Sequence, residues 1–346
     1  MLIPILLLAV GFVLLIKGGD WFVDGASGIA RRFNLPEILI GATVVSIGTT
    51  LPEVMVSAGA ALGGSGSIAY GNAIGSIICN TSLIAAITIA IKPGPAARKS
   101  LILPVAFFYG AAVFYSFTAY ALGEFSRIIG IILLATFVAY MVMTVLKMKS
   151  TSAALEGVGD CEVTAIAEAE LEKTSGEDHV VESEKNGTKD SLLKDIILLV
   201  VGAALIAFGA DLLVDNAIII AQKSGVSEKV IGLTIVALGT SLPEFVTAIT
   251  SLIKGHGSLS LGNIIGANLF NLILVSGAAV TINPFALPVS GLIGGINSSL
   301  VIDIPVMFIV MSIMIIPTLI KQKLSRWQGI LLLLIYAAFC TLQFTI

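Results

Sequence analysis

Ten long apolar segments dominate this sequence and restrict what it can fold into. A helix needs about 20 residues to cross the roughly 30 Å hydrocarbon core of a bilayer, and these segments are long enough. They lack the alternating pattern of about ten residues that marks outer-membrane strands. Only 12% of the 346 residues are charged, whereas soluble domains carry roughly 25%. The sequence therefore predicts an all-α membrane protein with ten transmembrane helices, at 3–29, 36–62, 68–91, 100–122, 126–147, 192–221, 228–253, 259–282, 298–320 and 328–345.

The ten segments form two groups of five that share sequence. A shift of 191 residues lays 11–91 on 202–282 without a gap, and within 41–91 it yields 18 identities in 51 positions. Since each group has an odd number of spans, the second copy enters the membrane from the opposite side. Inverted repeats are typical of secondary transporters, with the binding site at the repeat interface near the midplane. We therefore expect two inverted five-helix repeats, residues 1–149 and 191–346.

The segment from 150 to 190 is polar and acidic and separates the two groups. It holds 11 of the 22 Asp and Glu residues, between Glu156 and Asp190, and too few apolar residues to fold alone. Of the 19 Lys and Arg residues, 15 lie on the membrane face that carries this segment. Because basic residues are enriched on the cytoplasmic side, we expect a cytoplasmic linker, both termini outside and a multi-pass location in the plasma membrane.

Each repeat carries one glutamate deep inside an apolar segment. The two, Glu53 and Glu244, occupy equivalent repeat positions, and each directly follows a proline. A carboxylate at bilayer depth is costly, so a membrane glutamate is a candidate functional group by default. The preceding proline lacks an N–H and clashes with the carbonyl four residues back, which frees backbone oxygens one turn earlier. A helix broken at this depth is tolerated only where the opened backbone is buried or lines a site.

Further oxygen donors lie close to these glutamates in the sequence. The candidate ligands are Glu53, Glu244, Thr49, Thr50, Thr240, Ser241, Ser76, Asn80 and Asn271. Such an all-oxygen set suits a hard cation such as calcium, which takes about six to eight oxygens. These segments contain no His or Cys pairs, which argues against zinc or copper.

The other carboxylates of the apolar segments are interpreted differently. Asp20, Asp24, Asp211 and Asp215 are also repeated, but they lie near the ends of spans, where they would cap a helix or line an entrance. Asp303 lies in the ninth segment and has no acidic counterpart in the first repeat. We interpret Asp303 as structural.

The duplicated motif Gly-Thr-(Ser/Thr)-Leu-Pro-Glu, at 48–53 and 239–244, makes the chain resemble the calcium/cation antiporter superfamily and, within it, the microbial sodium/calcium exchangers. The resemblance covers essentially the whole membrane part. It implies that the second, third, seventh and eighth helices surround the ions. It also implies that the long first and sixth helices slide to expose the site to each side in turn.

By position, the resemblance assigns a role to each candidate ligand. It implies essential carboxylates at Glu53 and Glu244, carbonyl donors at Thr49 and Thr240, hydroxyl neighbours at Thr50 and Ser241, and a polar pair at Asn80 and Asn271. Two positions depart from the family pattern. Asn271 replaces an Asp found in certain microbial and potassium-dependent members, which argues against potassium dependence. Ala267 replaces a usual Ser, which removes a hydroxyl expected at one flanking sodium site.

Sodium/calcium antiport is the activity that we expect from these features. Two carboxylates balance one calcium, two sodium ions or two protons, so charge alone leaves a proton/calcium antiporter as the alternative. The hydroxyls of the site and the lack of the acidic Gly-Asn-x-x-Glu pattern of the proton/calcium branch favour sodium.

Other classes of function fit the sequence less well. The inverted repeat disfavours a cation channel. An enzyme is disfavoured because the sequence has no paired nucleophile and base, no metal triad and no cofactor motif. We expect calcium ions, sodium ions and the lipid bilayer as partners, with no cofactor and no nucleic acid. No oligomeric state follows from the sequence.

Overall fold

A computed structural model describes residues 2–33, 35–156, 189–224, 239–289 and 291–345 of the chain. The helices are α1 (Leu2–Arg32), α2 (Glu37–Leu62), α3 (Gly66–Ile91), α4 (Arg98–Ala121), α5 (Arg127–Glu156), α6 (Lys189–Lys223), α7 (Leu242–Ile253), α8 (Gly257–Ile282), α9 (Ser299–Lys321) and α10 (Arg326–Thr345). Two short antiparallel pairs of strands join helix ends: β1 (Glu124–Phe125) with β2 (Phe285–Ala286), and β3 (Leu292–Ile293) with β4 (Ile296–Asn297).

Within the described ranges, 9 helices are long and apolar enough to cross a membrane. They fall on nine of the ten predicted segments, so the prediction of a helical, multi-spanning membrane protein is confirmed. The seventh predicted segment, 228–253, is described only from 239 onward, where α7 is an apolar helix of 12 residues. Most of the predicted linker, 157–188, lies outside the described residues.

Burial separates central from peripheral helices. The residues of α8 are almost all buried, whereas α1, α5, α6 and α10 expose many large apolar side chains. Exposed apolar surface of this extent suits contact with lipid chains and marks these helices as the rim of the bundle. The main apolar core lies between α3, α4, α8 and α9, where Phe108, Phe270 and Met311 are fully buried.

The long helices α1 and α6 pack closely because their glycines face each other. Gly11, Gly18 and Gly25 recur every seven residues on α1, and Gly202 and Gly209 do so on α6. A Cβ added at Gly18 would lie 2.9 Å from the Gly202 carbonyl oxygen, so no side chain separates the two backbones. Small residues permit this kind of contact between membrane helices.

Helices α2 and α8 make a similarly close contact at the centre of the bundle. A Cβ added at Gly266 would lie 2.7 Å from Ala42 Cα. The Ser46 hydroxyl donates to the Asn263 carbonyl oxygen at 2.9 Å. This contact packs the helix that carries the first acidic motif directly against α8.

Candidate cation site

Glu53 and Glu244 lie in the interior of the protein with no exposed surface. Glu53 is in the middle of α2 and Glu244 is in the first turn of α7. Their carboxyl groups are close enough to interact with each other. No residue in the described ranges donates a hydrogen bond of normal geometry to either carboxylate. Two buried carboxylates are costly unless a cation or protons neutralise them. The fold thus places the two predicted glutamates close together, in a position where their negative charge needs a cation or protons.

The two acidic motifs share a sequence but differ in local structure. α2 continues as a helix through Pro52, so the Gly48 carbonyl loses its hydrogen-bond partner inside an unbroken helix. The expected break is therefore not found in the first motif. In the second motif, α7 begins at Leu242 and Pro243 lies in its first turn, where the missing N–H has no intrahelical partner to lose. This start places Glu244 at the positive end of the α7 dipole, which favours negative charge.

Asn80 and Asn271 begin equivalent π-helical turns on α3 and α8. Both side chains are fully buried, and no described residue hydrogen-bonds to their amide groups. The turn in α3 packs against α7, which carries Glu244, and the turn in α8 packs against α2, which carries Glu53. Each asparagine thus lies on an element that contacts the glutamate-bearing helix of the other repeat. Single π-helical turns often occur at functional sites.

The predicted hydroxyl ligands lie on the helices that carry Glu53 and Asn80 or in the turn that precedes Glu244. Thr50 and Ser241 are buried, and their hydroxyls have no hydrogen-bond partner among the residues that the structure describes. Ser76 is buried on α3, one turn before Asn80. Thr240 is half-buried in the turn that precedes α7.

Thr49 differs from the other hydroxyls because its side chain is engaged. The Thr49 hydroxyl donates to Asn263 Oδ1 at 3.3 Å and also lies near the Glu244 carboxyl group. Its hydroxyl therefore connects α2 to α8, and its backbone carbonyl is the group that the family resemblance implies as a ligand.

Eight buried side-chain oxygens of the predicted set lack a hydrogen-bond partner in the described part of the chain. They are two each from Glu53 and Glu244 and one each from Asn80, Asn271, Thr50 and Ser241. Buried polar atoms are normally hydrogen-bonded, so an unsatisfied group of this size needs an explanation. Carboxylate, amide and hydroxyl oxygens are the ligands that hard cations such as calcium prefer. These eight oxygens therefore have the composition of a coordination shell for a hard cation.

Two asparagines that the sequence analysis did not assign to the site stabilise its frame. Asn72 Nδ2 donates to the Glu53 carbonyl oxygen at 3.2 Å and to Ser57 Oγ at 2.9 Å. Asn263, at the equivalent repeat position, accepts the hydrogen bond from Thr49. Their identity in the two repeats was a usable signal, but the sequence does not show that these side chains contact α2 instead of an ion.

Asp20 and Asp24 lie against the turn that follows α7. Lys254 Nζ is 2.8 Å from Asp24 Oδ1 and 3.5 Å from Asp20 Oδ1, and it donates to the Asp20 carbonyl oxygen at 2.9 Å. Nearby, His256 Nδ1 is 2.6 Å from Glu37 Oε1. These partly exposed pairs connect helix ends and contribute little net stability.

A multi-spanning helical bundle with two interacting carboxylates in its interior is typical of membrane ion transporters, and it places this protein in that class. Comparison with known proteins narrows this class. The profile of the family described as sodium/calcium exchanger protein matches residues 3–146 and 194–345. The chain belongs to the sodium/calcium exchanger family.

Individual relatives agree with this assignment. An uncharacterized membrane protein of Methanocaldococcus jannaschii is 34% identical over 335 residues, which cover 94% of this chain and 93% of that protein. The sodium/calcium exchanger MaX1 of Methanosarcina acetivorans is 30% identical over 367 residues, which cover 99% of this chain and 98% of that protein. A solved structure of the sodium-calcium exchanger NCX_Mj, soaked with 10 mM sodium and no calcium, is 30% identical, covers 98% of each chain and has a TM-score of 0.74. The predicted resemblance to microbial sodium/calcium exchangers is confirmed.

Proposed function

We propose that this protein is a secondary active antiporter that exchanges calcium for sodium across the membrane. The observation that carries the proposal is the fully buried pair Glu53 and Glu244, whose carboxyl groups interact with each other and receive no hydrogen bond of normal geometry in the described ranges. Two carboxylates balance the charge of one calcium or of two sodium ions, so one site can hold either cargo in turn. The names of MaX1 and NCX_Mj support the same activity.

The proposed ligands differ in charge and in role. Glu53 and Glu244 neutralise the ion, and neutral oxygens complete its coordination. The neutral ligands are the amides of Asn80 and Asn271, the hydroxyls of Thr50, Ser241 and Ser76, and the carbonyls of Thr49 and Thr240. Since Ala267 is the repeat counterpart of Ser76, one flank of the site has one hydroxyl fewer, and sodium binds more weakly there.

The proposed transport cycle uses the duplicated organisation of the chain. The five-helix repeats 1–149 and 191–346 enclose the ions, and 150–190 is a cytoplasmic linker in a plasma-membrane protein with both termini outside. The peripheral pair α1 and α6 moves against the central helices and exposes the site to one side at a time. The glycine contacts between α1 and α6 support this role, because they let the two helices move as one unit.

Calcium uptake into proteoliposomes tests the coupling ion. The vesicles are loaded with sodium, diluted into sodium-free medium that contains radioactive calcium, and held at the same pH on both sides. We expect uptake that needs the outward sodium gradient and saturates with calcium. Uptake without any counter-ion, or uptake that does not saturate, would indicate a channel.

Proton/calcium antiport is the second candidate, because each of the two facing carboxylates can also carry one proton. The same vesicles distinguish it when a pH gradient is imposed in the absence of sodium. Robust uptake under the pH gradient, together with no uptake under the sodium gradient, would assign the coupling to protons and contradict the proposal.

A further inference from the structure

A buried asparagine outside the candidate ligand set links α8 to α3. Asn268 of α8 is fully buried, and its Nδ2 donates to Thr81 Oγ1 of α3 at 2.7 Å. The same Nδ2 group lies 3.2 Å from the Sδ of Met311 on α9, and both partners are also fully buried. The amide therefore connects three helices in the interior of the bundle. We call the hydrogen bond between Asn268 and Thr81 the α3–α8 clasp.

One end of the clasp lies directly beside Asn80. The Thr81 hydroxyl donates its single hydrogen to the Ile77 carbonyl oxygen at 2.8 Å, so its lone pairs remain for the amide of Asn268. Asn80 and Thr81 are the first two residues of the π-helical turn Asn80–Ala85. The clasp therefore holds, from α8, the turn that carries the proposed ligand Asn80.

The other end of the clasp lies close to the second proposed amide ligand. Asn268 precedes Asn271 by three residues on α8, which is less than one helical turn. The clasp thus joins α3 next to Asn80 to α8 next to Asn271. Because it fixes how these parts of the two helices lie against each other, it also sets the separation of the two amides.

The equivalent positions of the other repeat cannot form this hydrogen bond. The shift of 191 residues that relates the repeats pairs Asn268 with Ile77 and Thr81 with Leu272, and both apolar residues are fully buried. Asn268 Oδ1 has no hydrogen-bond partner among the residues that the structure describes. A buried amide oxygen without a partner is costly, and an apolar side chain avoids that cost. Stability alone therefore does not explain the polar pair.

We propose that Asn268 is a positioning residue for the cation site, which holds the amide of Asn80 toward the ion through Thr81. This inference rests on the proposed function, because it requires that Asn80 binds calcium. Asn268 does not bind the ion itself. Without the clasp, apolar contacts alone hold the turn that begins at Asn80, so the amide is less firmly placed. Calcium then binds more weakly, while the fold is retained.

Calcium binding to the purified protein tests this role without transport. The midpoint of thermal unfolding is measured at increasing calcium concentration, and its rise gives an apparent affinity, because a ligand that binds the native state stabilises it. We expect Asn268→Leu and Thr81→Val each to weaken this affinity about fivefold, the equivalent of one neutral hydrogen bond. Thr81→Ser retains the hydroxyl and is expected to match the wild type.

Thr118→Val is the matched control for the loss of a buried hydroxyl. The Thr118 hydroxyl is buried on α4 and donates to the Tyr115 carbonyl oxygen of its own helix at 2.7 Å. We expect this variant to keep the calcium affinity of the wild type. Wild-type affinity in both Asn268→Leu and Thr81→Val would contradict the proposal, as would an equal loss of affinity in Thr118→Val.

The Asn80→Ala background separates positioning from a general loss of packing. Asn80→Ala removes a neutral oxygen and keeps the charge balance of the site, so calcium binding remains measurable. Adding Asn268→Leu is expected to cause no further loss, because the amide that it positions is absent. A further fivefold loss would contradict the proposal. Thr81→Val replaces Asn268→Leu in both backgrounds if the latter does not fold. A wild type whose midpoint does not respond to calcium would instead contradict the proposed function.

Discussion

The Thr49 hydroxyl of α2 donates to Asn263 Oδ1 of α8 at 3.3 Å and ties the acidic motif of one repeat to a helix of the other. The Ser46 hydroxyl reaches the carbonyl oxygen of the same asparagine at 2.9 Å. Both contacts are buried, where hydrogen bonds are strong and an unpaired group is costly. Glu53 follows Thr49 by one helical turn, so these bonds help to position its carboxylate.

Removing the Thr49 hydroxyl is expected to slow exchange without abolishing it. Thr49→Val keeps the shape of the side chain and the backbone carbonyl but leaves Asn263 Oδ1 unsatisfied, so we expect a loss of about fivefold to tenfold in sodium-driven calcium uptake. Thr49→Ser retains the hydroxyl and should remain close to the wild type. Equal uptake by the wild type and both variants would show that this bond does not position Glu53.

Neutralising either central glutamate is expected to abolish calcium exchange. Glu53→Gln or Glu244→Gln leaves one carboxylate for a divalent ion in a buried site, so we expect calcium uptake to fall by about a hundredfold or more while the protein remains folded. Uptake into proteoliposomes measures calcium exchange, and gel filtration shows whether the variant remains folded. Glu124→Gln, which neutralises an exposed carboxylate on β1, serves as the control. Near-normal uptake by both glutamine variants would contradict the proposed site.

The amide of Asn271 is expected to matter less than either glutamate. Asn271→Ala removes a neutral oxygen, so the site keeps its charge balance, and we expect a weaker apparent calcium affinity with uptake still measurable. The concentration of calcium at half-maximal uptake gives this affinity. A loss as complete as that of Glu53→Gln would indicate that Asn271 has a larger role than a neutral ligand.

The close packing of α1 and α6 predicts that a side chain at Gly18 is poorly tolerated. A Cβ there would lie 2.9 Å from the Gly202 carbonyl oxygen, so Gly18→Ala forces the two helices apart. We expect a loss of about 1–3 kcal/mol in unfolding free energy and a lower midpoint of thermal unfolding. Gly110→Ala on α4 is the matched control, because a Cβ there meets no described atom within 4 Å. Equal midpoints for the two variants would contradict the packing.

The orientation of the chain can be checked by proteolysis. The basic residues concentrate on the face of the 150–190 linker, so we expect protease added to right-side-out vesicles to leave the linker intact until detergent opens the membrane. Inside-out vesicles should show cleavage without detergent. Cleavage in intact right-side-out vesicles would reverse the assigned topology.

Much of the fold could be predicted because the bilayer imposes simple rules on the sequence. Backbone groups in hydrocarbon must be satisfied within the segment, so a long apolar run becomes a helix, and the nine described spanning helices fall on predicted segments. The cost of a buried carboxylate similarly identified Glu53 and Glu244. Repetition of the motif in the two halves of the sequence predicts that the two glutamates belong to one site.

Only the tertiary structure decided what depends on contacts between distant segments. The two motifs have nearly the same sequence, yet α2 continues through Pro52 whereas α7 begins at Leu242, so the motif alone does not determine where each helix starts. Asn72 and Asn263 are polar residues at matching positions, and only their packing shows that they bond to α2. Asp303 has no counterpart in the other repeat, and the sequence alone predicts only a structural role for it. The hydrogen bond that it accepts from Gln343 arises from the packing of α9 against α10, which no pattern within either segment encodes.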